Sequence, residues 1–343
     1  MMRVLLTGAA GFIGARTAET LCERGFQVTG FDNLSDYYDT RLKQARLDRL
    51  SKYPSFQDRR GSIESRAELA SAFDFARPTH VVHLAAQAGA GASITNPART
   101  VQANLVGFAD MLEECRHRGI EHLVFASSSS AYGLDRGLPF SEHVGGDHPI
   151  TLYGATKRAN ELMAHAHAHL FNMPCTALRF FTVYGPWGRP DMAFSKWSHA
   201  ILRREPIKVF NQGRSMRDFT YIDDVVEAIG LTLERPARPN STFDPARPDP
   251  ATSSAPFRVY NVACGNSVPL LRCIRLLEDS LGVGATLQME PLSAGDVPET
   301  AADISDIARD LGFRPTVRVE QGIPRFAEWY RNYHGAKGTN PRS

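Results

Sequence analysis

The chain has 343 residues, 43% of them apolar and 22% charged, as in an ordinary globular protein long enough for one large domain or two. Its net charge is +2 with no block of like charge, so nothing indicates a nucleic-acid partner or a membrane surface. Five scattered cysteines without a Cys-x-x-Cys pair argue against a metal site, and the short apolar start is no signal peptide, so we expect a cytoplasmic protein.

The first half of the chain alternates short apolar runs with amphipathic stretches. Strands are predicted at Arg3–Thr7, Gln27–Phe31, His80–Leu84, His122–Ala126 and Thr176–Phe181. Helices are predicted at Phe12–Arg24, Tyr38–Leu50, Ala67–Ala76, Ala98–His117 and Tyr153–Phe171. This alternation predicts the α/β class, with a doubly wound parallel sheet.

Beyond about residue 185 the alternation loosens. Residues 235–257 carry six prolines and almost no apolar periodicity, which predicts a mobile surface loop. The tail 335–343 is predicted to be disordered.

The segment TGAAGFIG, residues 7–14, indicates a cofactor site. Gly8, Gly11 and Gly14 lie between a predicted strand and a predicted helix, where they let backbone amides approach a pyrophosphate. The spacing is GxxGxxG, a weak signal alone. Asp32 strengthens it, because a carboxylate at the end of the next strand accepts both ribose hydroxyls and repels a 2′-phosphate. This favours NAD, while Arg16 nearby keeps NADP as an alternative.

The segment YGATK places Tyr153 and Lys157 on one face of a predicted helix, about 5–6 Å apart at Cβ. An ammonium so close should lower the tyrosine pKa from about 10 toward neutrality and make the phenol a general base. Ser128 supports this site, because it lies at the carboxyl end of a predicted strand, where open α/β sheets bind ligands.

Taken together, TGAAGFIG, Asp32, Ser128 and Tyr153-x-x-x-Lys157 resemble an extended short-chain dehydrogenase/reductase of the nucleotide-sugar epimerase/dehydratase family, over about residues 2 to 330. The resemblance implies a Rossmann-type domain with NAD, mainly residues 1–180. It also implies a smaller α/β domain for the nucleotide sugar, mainly 181–334, with some chain returning to the first, and a homodimer. By this resemblance Tyr153 is the base, Lys157 holds the nicotinamide ribose and Ser128 binds the reacting hydroxyl.

The same resemblance assigns the cofactor contacts. They are Gly8, Gly11, Phe12, Ile13, Gly14, Asp32, Asn33, Ser62, Ile63, Leu84, Ala85, Ala86, Gln87, Asn104, Tyr153 and Lys157. Ser62 stands where similar enzymes usually carry an acidic residue toward adenine.

Three segments, 32–47, 83–89 and 179–194, resemble UDP-glucuronate 4-epimerases in particular. By that resemblance Arg217 binds the diphosphate, Asp296 the uridine ribose, and Phe194, Val209 and Phe210 line the uracil pocket. The resemblance is broken at Ala90-Gly91-Ala92-Ser93, where similar enzymes tend to have Val-Arg-Tyr-Ser, and this leaves the exact UDP-sugar open.

Four consecutive hydroxyls, Ser127 to Ser130, follow a predicted strand. If the substrate is UDP-glucuronate, we expect Ser129 and Ser130 to hold its carboxylate with Thr182 opposite, and Arg189 to close over it. Ser127 is expected to satisfy backbone groups at the strand end. Alternatively, the serines form only a small-residue turn, because strand alternation would not aim three successive hydroxyls at one ligand.

No carboxylate follows Ser128 in the run 127–131, which disfavours the related dehydratases and decarboxylases. UDP-glucose/UDP-galactose 4-epimerisation is the main alternative to UDP-glucuronate 4-epimerisation, since it needs the same catalytic groups. A catalytically silent NAD-binding protein is the alternative from another class.

Overall fold

The computed structural model describes residues 2–135, 137–292 and 295–335. The strands are β1 Arg3–Thr7, β2 Gln27–Asp32, β3 Phe56–Arg60, β4 His80–His83, β5 His122–Ser128, β6 Cys175–Phe180, β7 Thr182–Tyr184, β8 Ile207–Val209, β9 Met216–Tyr221, β10 Phe257–Val262, β11 Ser267–Pro269 and β12 Leu287–Met289. The helices are α1 Phe12–Glu23, α2 Thr40–Leu50, α3 Arg66–Ala76, α4 Ala90–Thr95, α5 Pro97–Val101, α6 Gly107–His117, α7 Leu152–Phe171, α8 Ala193–Arg203, α9 Ile222–Leu233, α10 Leu270–Leu281, α11 Ser305–Leu311 and α12 Val319–Gly335.

The central sheet of the described chain is parallel throughout, with strand order β3-β2-β1-β4-β5-β6-β10. Its inner strands are buried on both faces, as Leu5, Val82 and Phe125 show with no exposure at all. Continuous apolar runs are what strands covered by helices on both sides require. The predicted α/β class and doubly wound sheet are confirmed.

The strand order reverses between β1 and β4, because the chain leaves β1 toward β2 and later returns to the other side of β1. The loops that follow β1 and β4 therefore diverge to opposite faces of the sheet at their carboxyl ends. This divergence leaves the crevice in which open α/β sheets bind ligands.

The second half of the chain builds smaller sheets, β11-β9-β7 and β12-β8, with α8, α10 and α12 packed beside them. It also returns to the first half: β10 pairs with β6 in the central sheet, and α9 packs on α1. The division into a cofactor domain and a sugar domain stays a prediction.

Three segments of the first half differ from their predicted structure. The predicted helix Ala98–His117 is divided into α5, a π-helical turn at Gln102–Val106, and α6. Within that turn the Asn104 carbonyl accepts from the Asn160 side-chain amide at 2.7 Å, and such diversions accompany local breaks in helical hydrogen bonding. Helix α4 and strand β3 were not among the predicted elements.

The proline-rich segment 235–257 has no regular element before Phe257, and Ala251, Ser253 and Ala255 within it are buried. Its mobility stays a prediction. Gly335 ends α12, and the rest of the predicted tail, 336–343, lies outside the described residues. Among the described helices, none is long and apolar enough to cross a membrane.

Candidate active site

A cleft containing about 1740 Å³ of empty space, open to solvent, runs along the carboxyl ends of the central strands. The predicted site residues that line it are Gly8, Gly11, Phe12, Ile13, Gly14, Asp32, Asn33, Ile63, Leu84, Ala85, Ala86, Gln87, Ser128, Ser129, Ser130, Tyr153, Lys157, Thr182 and Arg189. The predicted residues outside this lining are Ser62, Asn104, Phe194, Val209, Phe210, Arg217 and Asp296. The structure thus brings the catalytic groups and most of the proposed cofactor groups into one cleft, and leaves all five residues of the proposed uridine diphosphate site outside its lining.

The glycine-rich turn makes the floor at one end of the cleft. Gly8 has a φ of +74°, and a Cβ there would lie 2.8 Å from the amide nitrogen of Ala85 in the loop after β4. A Cβ on Gly14 would lie 2.0 Å from the Gly8 carbonyl oxygen. No side chain caps the first turn of α1, so its amides can bind an anion such as the pyrophosphate of a dinucleotide.

Asp32 ends β2 beside this turn. One carboxylate oxygen accepts the Ala10 N–H at 3.0 Å and the other accepts the Leu34 N–H at 2.8 Å. Each oxygen can still accept a further hydrogen bond, so the carboxylate can bind ribose hydroxyls while its charge repels a 2′-phosphate. The residues present therefore fit NAD.

Arg16, which kept NADP open as an alternative, does not line the cleft. Its guanidinium donates to Asp223 at 2.8 Å and to Glu19 at 3.2 Å between α1 and α9. The cation that lines the cleft near Asp32 is Lys43, whose ammonium donates to the Ser35 carbonyl at 2.7 Å. Burial lowers the Lys43 pKa, although the Asp32 charge opposes this. A single lysine on an amphipathic helix gives no sequence signal, so Lys43 was missed.

Ser62 and Asn33 lie at the adenine end. The Asn33 side-chain amide donates to the Ser62 hydroxyl at 3.3 Å, and the Ser62 N–H donates to the Glu68 carboxylate at 2.7 Å. Glu64, two residues after Ser62, lines the cleft. An acidic side chain is therefore available close to the position where Ser62 departs from the family pattern.

Asn104 supports the cleft from behind. Its side-chain oxygen accepts the Gln87 N–H at 2.8 Å, and its amide donates to the Gln87 carbonyl at 3.2 Å and to Thr156 at 3.1 Å. All its polar hydrogen-bonding groups are engaged and it is 2% exposed, so the expectation of a direct cofactor contact is corrected. Asn104 holds the loop after β4 instead.

Helix α7 carries the predicted base. Thr151 caps the helix by accepting the Gly154 N–H at 3.1 Å, which places Tyr153 in the first turn, at the sheet edge. One turn later the Lys157 ammonium donates to the Ala126 carbonyl at 2.8 Å and lies 5.9 Å from the centre of the Tyr153 ring. Ser128 and Tyr153 both line the cleft, and the Ser128 hydroxyl acts to lower the Tyr153 pKa. The three predicted catalytic groups therefore converge.

The predicted fall in the Tyr153 pKa was wrong for the ligand-free chain. Burial raises the Tyr153 pKa, while the Arg189 charge and the hydrogen bond from Ser128 lower it. The sequence spacing overstated the effect of Lys157 on the Tyr153 pKa, because the Lys157 ammonium is directed to the Ala126 carbonyl. Burial lowers the Lys157 pKa to about 8, opposed by the Glu161 charge.

The serine run changes structure at its middle. Strand β5 ends at Ser128, and a 3₁₀ turn begins at Ser129, with the Ser130 N–H donating to the Ser128 hydroxyl at 3.1 Å. Because strand alternation stops here, all four serines line the cleft. The role predicted for Ser127 was wrong: its hydroxyl donates to the buried Glu161 carboxylate at 2.6 Å and not to backbone.

Arg189 and Thr182 also line the cleft. The Arg189 guanidinium makes two hydrogen bonds to Asp191, at 2.9 and 2.5 Å, and the Tyr37 hydroxyl donates to Asp191 at 3.2 Å. The sequence reasoning missed Asp191 and Tyr37. Both stand in segments that carried the family resemblance, which was the only signal for them.

The proposed uridine residues fall into two groups. Arg217 and Asp296 form an ion pair at 2.6 Å, and Phe210 is 39% exposed. Val209 is buried in the hydrophobic core, 2% exposed, so the expectation that its side chain lines an open pocket is corrected. Phe194 is 4% exposed and lines a smaller pocket together with Thr182 and Arg189, and its contact with uracil stays a prediction.

A family model described as the NAD dependent epimerase/dehydratase family matches residues 4–244. The chain belongs to this family. The predicted family is confirmed.

The relatives of this epimerase/dehydratase family member match it over nearly its whole length. A protein of Rhizobium meliloti (strain 1021) named probable UDP-glucuronate 4-epimerase is 45% identical over 340 residues, 98% of this chain and 100% of that protein. UDP-glucuronic acid 4-epimerase from Bacillus cereus, in complex with UDP-glucuronic acid and NAD, has a TM-score of 0.85 at 29% identity, covering 97% of this chain and 100% of that one. UDP-glucose 4-epimerase from Thermotoga maritima, with UDP-glucose, has a TM-score of 0.82 at 29% identity, covering 97% and 99%.

Proposed function

We propose that this chain is an NAD-dependent UDP-sugar 4-epimerase that converts UDP-glucuronate and UDP-galacturonate into each other. The observation that carries the proposal is the convergence of Ser128, Tyr153 and Lys157 in the same cleft as the glycine-rich turn and Asp32. The Rhizobium and Bacillus relatives support the choice of sugar.

Bound NAD supplies the chemistry of taking a hydride from C4 of the sugar and returning it. The amides at the start of α1 bind its pyrophosphate, and Asp32 binds its adenosine ribose. Lys157 binds the nicotinamide ribose. Tyr153 removes the proton of the 4-hydroxyl, while Ser128 holds that oxygen by a hydrogen bond. After the 4-keto sugar has turned over, Tyr153 returns the proton to the oxygen on the opposite face.

A proton taken from C5 would need a carboxylate near the sugar. The acidic residues among the described lining of the cleft are Asp32, the last residue of β2, and Glu64, which follows β3; both belong to the proposed adenosine end. Hydroxyls surround the catalytic end instead, from Ser128 to Ser130 and Thr182. This arrangement favours epimerisation over dehydration.

A second candidate function is UDP-glucose/UDP-galactose 4-epimerisation. Ala90 lines the cleft, and the segment Ala90-Gly91-Ala92 itself offers no charged side chain to a sugar carboxylate. The Thermotoga enzyme and the Bacillus enzyme are equally similar in sequence to this chain, each at 29% identity. A catalytically silent protein is disfavoured, because such a protein has no need for converging base, hydroxyl and ammonium.

The test is a product assay of the purified protein with UDP-glucuronate, UDP-galacturonate and UDP-glucose. We expect UDP-glucuronate to give UDP-galacturonate and the reverse, with a smaller kcat/KM for UDP-glucose. A larger kcat/KM for UDP-glucose would support the second candidate. Absence of turnover on all three, with NAD retained, would support a silent NAD-binding protein.

We also propose a homodimer in the cytoplasm. Helices α6 and α7 pack side by side, and α7 exposes Leu162 by 57% and Leu170 by 69%, an apolar surface that a second copy could cover. The cysteines in the described chain are all free, in keeping with a reducing compartment. Light scattering of wild type and of Leu162→Asp/Leu170→Asp tests the dimer: the double variant should be monomeric if this face forms the interface.

A further inference from the structure

Ser127 joins the catalytic helix to the strand that carries Ser128. Its hydroxyl donates to the Glu161 carboxylate at 2.6 Å, and the two residues are 2% and 1% exposed. Glu161 lies eight residues after Tyr153 and four after Lys157, so all three lie on the same face of α7. The hydrogen bond between Ser127 and Glu161 therefore connects the face of α7 that carries the base to the strand residue immediately before the catalytic serine.

Arg179 completes this connection on the neighbouring strand. It is the direct partner of Ser127 in the β5–β6 ladder, so the two side chains leave the same face of the sheet. Its guanidinium makes two hydrogen bonds to Glu161, both 2.8 Å, and it is not exposed. The central carbon of the Arg179 guanidinium, Cζ, lies 4.5 Å from the centre of the Tyr132 ring. One carboxylate thus fixes α7 to two strands.

The stability of the fold alone does not explain the buried hydrogen bonds of Ser127 and Arg179 to Glu161. Burying an ion pair costs desolvation, and apolar side chains of similar volume often stabilise a core as well or better. Directed hydrogen bonds have another effect, since they fix the position of a helix along a strand. A second bond, from Lys157 to the Ala126 carbonyl, lies one helical turn and one strand residue away. Together the two bonds prevent α7 from sliding along β5.

We propose that Ser127 is a positioning residue, whose bond to Glu161 sets the distance between the hydroxyls of Ser128 and Tyr153. The proposal rests on the proposed function as far as turnover is concerned. Ser128 follows Ser127 in extended backbone, with φ −156° and ψ 151°. A displacement of Ser127 is therefore transmitted directly to Ser128. Misplacement of a catalytic group by about 1 Å can lower a rate by about 10²-fold.

The first experiment needs no substrate. It follows the ionisation of Tyr153 in the holoenzyme by ultraviolet difference spectra, with Tyr153→Phe subtracted. The Ser128 hydroxyl favours the phenolate, so Ser127→Ala should raise the Tyr153 pKa by moving Ser128 away from the phenol. The charged groups that face Tyr153 are Lys157 and Arg189, and the variant changes neither.

The second experiment measures kcat per bound NAD and KM separately with UDP-glucuronate and UDP-glucose. We expect Ser127→Ala to lower kcat by about tenfold or more with KM changed less than about twofold. Thr176→Val is the matched control, because the Thr176 hydroxyl is also buried and bonded, to His122 at 2.9 Å, near the opposite end of the neighbouring strand. It should lower the melting temperature without changing kcat or the Tyr153 titration.

An unchanged Tyr153 titration in Ser127→Ala would overturn the proposal and leave Ser127 a purely structural residue. If Ser127→Ala does not fold, Ser127→Cys replaces it, with a weaker donor and a smaller upward shift expected. If wild type turns over no UDP-sugar, the proposed function fails, while the titration still decides the role of Ser127.

Discussion

Arg189 is held by Asp191 in the wall of the cleft, by two hydrogen bonds at 2.9 and 2.5 Å. The pairing offsets the positive charge that Arg189 can offer to a sugar carboxylate. Asp191→Asn should release that charge and raise the preference for UDP-glucuronate over UDP-glucose, by about fivefold in the ratio of kcat/KM. It should also move the Tyr153 pKa downward, since the Arg189 charge favours the phenolate.

The control for Asp191→Asn is Asp36→Asn. Asp36 pairs at 3.3 Å with Arg99, another arginine that lines the cleft, and its side chain is far more exposed. The control should change neither the preference nor the titration. An unchanged preference in Asp191→Asn would mean that Arg189 does not recognise the sugar carboxylate.

Tyr153→Phe should lower kcat by about 10²- to 10⁴-fold, because it removes the general base and leaves the ring in place. The NAD content of the purified variant should equal that of wild type, since the glycine-rich turn and Asp32 are untouched. Turnover and bound NAD are measured on the same preparation. A variant with near wild-type turnover would exclude Tyr153 as the base.

Asp32→Ala should weaken NAD binding by about tenfold to a hundredfold, the effect of losing hydrogen bonds to a charged group. It should also reduce discrimination against NADP, because a repulsive carboxylate is gone. Both are measured by equilibrium binding to the protein freed of cofactor. Arg16→Ala is the control: Arg16 pairs with Asp223 and Glu19 outside the cleft, so its loss should leave both affinities unchanged.

The sequence could predict those features of the site that are formed by residues close together along the chain. The turn with Gly8 and the carboxylate of Asp32 follow from strand, turn and helix in immediate succession, and the structure places both in one cleft. Ser127 was misassigned because its partner, Glu161, is brought to it only by the packing of α7 on the sheet. The predicted direction of the Tyr153 pKa shift was wrong for a similar reason, because the burial of a side chain depends on tertiary structure.

Glu142 predicts a pH dependence of stability. It is 1% exposed, and burial raises its pKa to about 7, although hydrogen bonds from backbone N–H groups, that of Asn261 at 3.4 Å among them, favour the charged form. A carboxyl group whose pKa rises on folding stabilises the fold fully below its unfolded pKa of about 4.3, and that contribution is lost as the pH rises through 7.

Glu142→Gln should therefore be more stable than wild type at pH 8, by about 2 kcal/mol, with the difference vanishing near pH 4.5. Urea unfolding of both proteins across this range measures it. The charged neighbours of Glu142, Asp306 and His143, are present in both proteins. A constant difference between the two at all pH values would show that Glu142 does not titrate on folding.

The last prediction concerns the hydroxyls of Ser129 and Ser130. The 4-keto form of UDP-glucuronate is a β-keto acid, which loses CO₂ readily when the bond to its carboxylate stands perpendicular to the carbonyl plane. An epimerase for this sugar must hold the carboxylate out of that alignment. Two neutral donors can fix both carboxylate oxygens in direction, and the 3₁₀ turn that begins at Ser129 places both serines in the cleft lining.

Ser129→Ala/Ser130→Ala should therefore epimerise UDP-glucuronate more slowly and prefer it less over UDP-glucose. It should also release CO₂ and a UDP-4-keto-pentose. The electron pair of the broken C5–C6 bond forms an enolate, which takes a proton at C5, and the product leaves with its C4 ketone unreduced, so one NADH is left per CO₂. The hydrogen bond from the Ser130 backbone N–H to the Ser128 side-chain hydroxyl survives the change, because neither group is altered. Trapped CO₂ and NADH absorbance are measured together, and the single variants Ser129→Ala and Ser130→Ala show which hydroxyl matters. If the double variant binds and epimerises UDP-glucuronate as wild type does, the serines serve only as a small-residue turn, and the carboxylate must be held from the side of Thr182 and Arg189.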